Sequence, residues 1–105
     1  MSDRITSRLV ALSEELAGLR TELDIAREQL VFFGDVLEER RVEMLVAETP
    51  LAAREHRIAL ENRDRMAAVV SETEARMSAI TEERDRLLDA LSGANPAPTG
   101  PRTTL

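Results

Sequence analysis

Residues 5–37, ITSRLVALSEELAGLRTELDIAREQLVFFGDVL, decide the fold, because apolar side chains recur through them at alternating intervals of four and three residues. This alternation places one apolar side chain after another along a single face of an α-helix, which is typical of a coiled coil. We call the positions in this pattern the seam. The seam comprises Ile5, Leu9, Leu12, Leu16, Leu19, Leu23, Ala26, Leu30, Phe33 and Leu37, and it continues through Arg40 to Met44.

A second helix is predicted to begin at Pro50. Proline has no backbone N–H to donate and is favoured at the first helical position, and Thr49 before it is a good N-cap. The first helix is expected to continue through Gly34, because an interior glycine costs only ~1 kcal/mol relative to alanine and the seam passes it in register. The predicted helices span about residues 3–47 and 50–92, with a turn near residues 47–49.

The two helices are expected to pack as a long antiparallel hairpin, so that residues 1–92 form one all-α coiled-coil domain. The seam of the second helix is weaker, with apolar residues mainly in its second half. If the chain turns near Ala47 and Glu48, the two seams meet in regular layers. The predicted layers are Leu9 with Leu87, Leu16 with Ile80, Leu19 with Met77, Ala26 with Val70, Leu30 with Met66 and Leu37 with Ala59.

Two further layers place an arginine against an apolar residue, where the arginine stem can cover the apolar surface while the guanidinium stays in water. Charges beside the seam do not decide between this hairpin and a parallel pairing of two copies. The arginine layers are Arg84 against Leu12 and Arg63 against Phe33. In the hairpin, the expected attractions are Glu22 with Arg76 and Arg20 with Glu74, and the expected repulsions are Glu15 with Glu83 and Glu43 with Glu55.

The last part of the chain, residues 93–105, reads GANPAPTGPRTTL. Its glycines and prolines prevent a regular helix, and it contains too few apolar residues to pack against the hairpin. We therefore predict a disordered C-terminal tail.

A second set of apolar residues lies off the seam between residues 25 and 46 of the first helix. An apolar surface this wide exceeds what one neighbouring helix covers, and burying it at about 25 cal/mol per Å2 would drive association. We expect a homodimer, a helical protein partner, or both. The candidate partner-binding residues are Ile25, Phe32, Val36, Val42, Leu45 and Val46.

Composition argues against most other classes of function. The net charge is −6 and no long segment is purely basic, so neither nucleic acid nor an anionic membrane is an expected partner. The chain has no cysteine and a single histidine, His56, so we expect no catalytic residues, no cofactor and no metal site. Without an apolar leader at the N-terminus or a run of about 18 apolar residues, the expected location is the cytoplasm.

Three short segments carry a resemblance to an enzyme family. The segments LRTELD at residues 19–24 and LEERR at residues 37–41, followed by Pro50, Arg54 and Glu55, resemble the helices of the small all-helical chorismate mutases. That resemblance implies an arginine-lined site for a dicarboxylate, although no lysine is present to match the lysine of that family. The chain as a whole is similar to short coiled-coil proteins of high-GC Gram-positive bacteria, whose roles are unassigned, which implies a bacterial cytosolic helical protein.

A further interpretation is a regulator that inserts its hairpin tip into a large machine such as RNA polymerase, by analogy of shape. The interpretation that we favour is a coiled-coil protein–protein interaction module, an adaptor or regulator that turns over no substrate. The tip would present Arg40, Arg41, Glu43, Glu48, Thr49, Arg54, Glu55, His56 and Arg57.

Overall fold

The chain forms two long helices joined by a two-residue turn in the computed structural model, which describes residues 2–93. Helix α1 spans Ser2–Ala47 and continues through Gly34 without a break, as predicted. Helix α2 spans Pro50–Gly93 and packs antiparallel against α1, giving a hairpin with a longest dimension of 72 Å. The predicted disordered tail lies outside the described residues except for Gly93, which is the last residue of α2.

The turn is shaped by Glu48 and Thr49. Glu48 has a φ of 52° and donates its backbone N–H to the carbonyl oxygen of Met44 at 3.1 Å, which ends α1 with a left-handed residue. Thr49 then caps α2 as predicted, because its Oγ1 accepts a hydrogen bond from the N–H of Ala52 at 3.1 Å. Pro50 follows at the first helical position, where its missing N–H leaves no hydrogen bond unmade.

Replacing Glu48 by glycine should stabilise the hairpin by about 0.5–1 kcal/mol. A side chain with a Cβ is strained in the left-handed region, whereas glycine adopts it freely, and this relief exceeds the extra flexibility that glycine gives the unfolded chain. The measurement is the free energy of unfolding in urea. Glu48→Ala is the matched control, because it removes the charge and keeps the Cβ; equal stability of the two variants would contradict the explanation.

The best-packed part of the core lies in the open half of the hairpin, away from the turn. Leu12, Leu16 and Leu19 are buried together with Ile80 of α2, and Met77 and Leu87 pack against this cluster. The cluster combines the residues of the predicted layers Leu16 with Ile80 and Leu19 with Met77. Toward the turn the seam is less enclosed, and Leu30, Phe33 and Leu37 are only half-buried.

The side chains of the two seam arginines, Arg63 and Arg84, are 39% and 38% exposed, but the prediction that both guanidinium groups stay in water is wrong in part for Arg84. Arg63 donates from Nε to Asp64 Oδ1 at 2.9 Å. Arg84 reaches Asp85 only through Nη2, at 3.5 Å, and its Nε is buried without a hydrogen-bond partner among the described residues. A buried donor without a partner is destabilising, so Arg84 is a weak point of the core.

The ion pairs on one side of the hairpin correct the predicted partners. Glu15 and Glu83 do not face each other as a repulsive pair: Arg8 donates to both Glu83 oxygens, at 2.9 and 3.0 Å. This hydrogen bond lowers the pKa of Glu83 below its ordinary value. Arg76 binds Glu15 at 2.5 Å, and not Glu22.

On the opposite side of the hairpin, Arg27 pairs with Glu74 at 2.8 Å in place of the predicted Arg20. The predicted partners were mirror images across the turn. Residues on one side of a coiled-coil helix recur every seven positions. A charged residue therefore pairs with the nearest residue on the same side of the other helix, and that residue lies several positions away from the mirror-image position. The structure thus contains three attractive ion pairs between α1 and α2, which favour this antiparallel register.

Candidate functional site

A groove of about 190 Å3 opens between the two helices in the half of the hairpin nearest the turn. Its apolar wall comes from Val36 of α1 and from Ile58 and Ala59 of α2. Ala59 is buried at the base, whereas Ile58 is 45% exposed. The groove is therefore apolar at its centre and polar at its ends. Its lining residues are Val36, Arg40, Glu55, Ile58, Ala59 and Asn62.

The ion pair between Glu15 and Arg76 identifies the side of the hairpin on which the groove lies. Val36 follows Glu15 by three heptads, and Asn62 precedes Arg76 by two heptads. Residues at heptad spacing stay on one side of supercoiled helices, so the groove continues the side marked by this ion pair.

Further apolar side chains extend from the groove along both helices on the same side. On α1, Phe32 lies one turn before Val36 and is 60% exposed. On α2, Leu51 lies one heptad before Ile58 and is 65% exposed. Exposed apolar side chains that two helices present on one side are typical of a binding face. We call this surface the groove face; it comprises Ile25, Phe32, Val36, Leu51, Ile58 and Val69.

Four of the six residues predicted to bind a partner belong to the groove face or extend it. Ile25, Phe32 and Val36 are part of it by definition. Val46 follows Phe32 by two heptads and carries the line of exposed apolar residues to the turn. Phe32 also packs edge-on against the half-buried seam residue Phe33, with ring centroids 5.5 Å apart.

The other two predicted residues lie on different sides of α1. Val42 is two positions from both Arg40 and Met44 of the seam, so it projects away from α2. Glu43 and Leu45 flank the seam residue Met44 in the sequence. Because Glu43 is on the groove side of α1, Leu45 lies on the other side. Both are exposed, as expected of residues without a neighbour, but the structure does not join them to the groove face.

The sequence analysis missed the contribution of α2 to this surface. Leu51 and Ile58 are one heptad apart and off the seam, and Val69 is one heptad from Asn62. The same spacing argument that identified the first helix would have found them. Their signal is weak in the sequence, because α2 has fewer apolar residues than α1 and polar residues separate those that lie off its seam.

Charge in the groove is balanced by Arg40. Its Nη1 donates to Glu43 Oε1 at 2.9 Å. This hydrogen bond, followed by the charges of Glu43, Glu55 and Glu39, raises the pKa of Arg40 above its ordinary value. The predicted repulsion between Glu43 and Glu55 is therefore relieved by a guanidinium that both carboxylates attract.

Other candidate chemistry is dispersed along the rod. Arg20 and Arg40, from the segments that resemble chorismate mutases, lie about 30 Å apart along α1, so they do not share one pocket. His56 is half-buried on the seam near the turn. Among the side chains that the structure describes, no three histidine or acidic groups come together to hold a metal ion. Within residues 2–93, neither helix has an apolar stretch long enough to cross a membrane.

Comparisons with protein-family models, with curated proteins and with solved structures match nothing to this chain.

Proposed function

We propose that this protein acts by binding, as a helical protein–protein interaction module whose groove face receives the helices of another subunit or protein. The observation that carries the proposal is the placement of exposed apolar residues from both helices on one side of the hairpin, around a groove. Exposure of aliphatic and aromatic surface to water is unfavourable in free energy, and association with a second helical surface buries it.

The shape of the groove supports a helical partner over a small molecule. Pockets for small molecules usually hold about 300–1,000 Å3 and enclose most of the ligand. The groove here is about 190 Å3 and is open to solvent on one side. A row of side chains from an approaching helix fits such a furrow, in the way that helices pack ridge into groove.

Truncation of Phe32 tests this proposal. Phe32→Ala should weaken association of the purified protein, or capture of its partner from the native cytoplasm, by about tenfold, because aromatic anchors carry much of an interface's binding energy. The matched control is Val10→Ala, which removes an exposed apolar side chain from α1 outside the groove face. Circular dichroism should show both variants to be helical. If both bind as the original protein does, the groove face is not the binding site.

A further inference from the structure

We propose that the occupant of the groove face is a second copy of this chain, in a two-fold dimer whose hairpins point in opposite directions. This inference rests on the proposed function and adds the partner and its orientation. The dimer is an antiparallel four-helix bundle over the half of each hairpin nearest the turn, with the open halves projecting from both ends.

The groove face has the spacing of a second seam. Together with the polar residues between them, the groove-face residues of each helix occupy positions that alternate by four and three residues, in parallel with the core seam. In a four-helix bundle each helix needs two such seams, one for each neighbour. The second seam on α1 is Ile25, Gln29, Phe32, Val36, Glu39 and Glu43. On α2 it is Leu51, Glu55, Ile58, Asn62, Arg65 and Val69.

One two-fold axis serves both helices. An axis passing α1 midway between Phe32 and Val36 brings Phe32 over Val36 of the partner subunit, which is a wall of the groove. On α2 the axis passes between Ile58 and Asn62, and it brings Leu51 over Val69 of the partner subunit. In the predicted core layers, such as Leu37 with Ala59, this crossing point lies about two residues, or ~3 Å, from the level of the α1 crossing point. A small tilt of one axis therefore accommodates both pairings, and Val36 and Ile58 line one groove at this level.

The charges on the second seam select this orientation. The axis places Arg65 opposite Glu55 of the partner subunit, and the contact occurs twice by symmetry. Within the described residues Arg65 donates to Asn62 Oδ1 at 3.1 Å and takes part in no ion pair with a carboxylate. Glu43 meets Ile25 of the partner subunit with its carboxylate already held by Arg40 at 2.9 Å.

The alternative dimer, with both turns at the same end, is less favourable. It would stack α1 on α2 of the partner subunit at matching levels. That arrangement places Glu39 against Glu55 of the partner subunit and Glu22 against Glu72 of the partner subunit, both like-charge contacts. It also leaves Arg65 opposite the neutral Gln29 of the partner subunit.

The contact area is sufficient for a stable dimer. The overlap runs from the turn of one hairpin to the turn of the other, about 40 Å at 1.5 Å per residue. Two helices side by side are about 20 Å wide, so each copy buries about 800 Å2, the size of a standard interface.

Charge reversal tests the orientation. Arg65→Glu and Glu55→Arg should each weaken the dimer about tenfold, because each turns two attractive contacts into repulsive ones. The double variant R65E/E55R should recover the original affinity. These residues are about 15 Å apart on their own helix, so recovery cannot arise within one copy. Two weak single variants without recovery in the double variant would overturn this orientation.

Distances between spin labels give an independent test, because the chain has no cysteine and one introduced cysteine labels one position. With labels at Ala47→Cys the opposed hairpins place the pair about 40 Å apart, and at Ser7→Cys about 80 Å apart. Hairpins with their turns together would give about 20 Å at both positions. A short distance at both positions overturns the orientation. A monomer in light scattering at micromolar concentration overturns the second copy as occupant, while the proposed function stands if Phe32→Ala still loses a captured partner.

Discussion

Leu12→Ala is expected to destabilise the hairpin by about 3 kcal/mol, more than half of the stability of a small domain at the lower end of the usual range. Leu12 is 1% exposed, the most buried large side chain among the described residues. Removing most of its side chain loses the transfer free energy of its carbons and leaves a cavity that two rigid helices close poorly. The predicted layers place Arg84 against Leu12, so we expect water entering the cavity to reach the unpaired Nε of Arg84 and to offset part of the loss.

Urea unfolding followed by circular dichroism measures this effect, at one protein concentration so that any association contributes equally. Val10→Ala is the control, because Val10 is 53% exposed two residues away on the same helix. We expect it to change the free energy of unfolding by less than about 0.5 kcal/mol. A loss below about 1 kcal/mol for Leu12→Ala would show that this layer does not pack as the structure has it.

The fold was accessible from the sequence because its determinants are local and periodic. Ten apolar positions in one register predicted α1, and the Thr49–Pro50 pair predicted where α2 begins. The cluster of Leu16 and Leu19 with Ile80 and Met77 followed from these two facts, since choosing the turn fixes which seam residues meet. The left-handed conformation of Glu48 did not follow, because glutamate gives no signal for positive φ.

The ion pairs could not be predicted in the same way. Layers of the core are set by the backbone, but the partner of Glu15 depends on how far two flexible side chains reach along the hairpin. Arg76 reaches Glu15, and Arg8 reaches Glu83, so two charges expected to repel each other each have a partner. Solvent-exposed pairs of this kind contribute little each, which is why the seam and not the charges dominates the fold.

The candidate site was half visible in the sequence. Ile25, Phe32 and Val36 were identified because they widen the apolar surface of α1 beyond what one neighbouring helix can cover. Which of the surplus residues act together could not be decided without knowing where α2 lies. With the position of α2 known, the candidate site includes Ile58 and excludes Val42. Substitutions at these two residues can test this difference.

Ile58→Glu is expected to weaken association at least about 30-fold, the effect of losing an interface hot spot. Ile58 lines the groove at its centre, and a carboxylate there would lie on the same helical face as Glu55 and would lose contact with water when a bound helix covers the groove. The hairpin itself should lose little stability, because Ile58 is 45% exposed and its charged replacement can stay in water when the groove is empty.

Val42→Glu is the matched control for Ile58→Glu, since Val42 is 47% exposed and receives the same new charge, but on the side of α1 that faces away from α2. Its association should equal that of the original protein in analytical ultracentrifugation. The surface predicted from the sequence included Val42, whereas the groove face does not. Comparing the two variants therefore shows which of these two surfaces binds the partner. If Val42→Glu dissociates the complex and Ile58→Glu leaves it intact, the binding surface follows the outer side of α1, and the groove is only a gap between two helices.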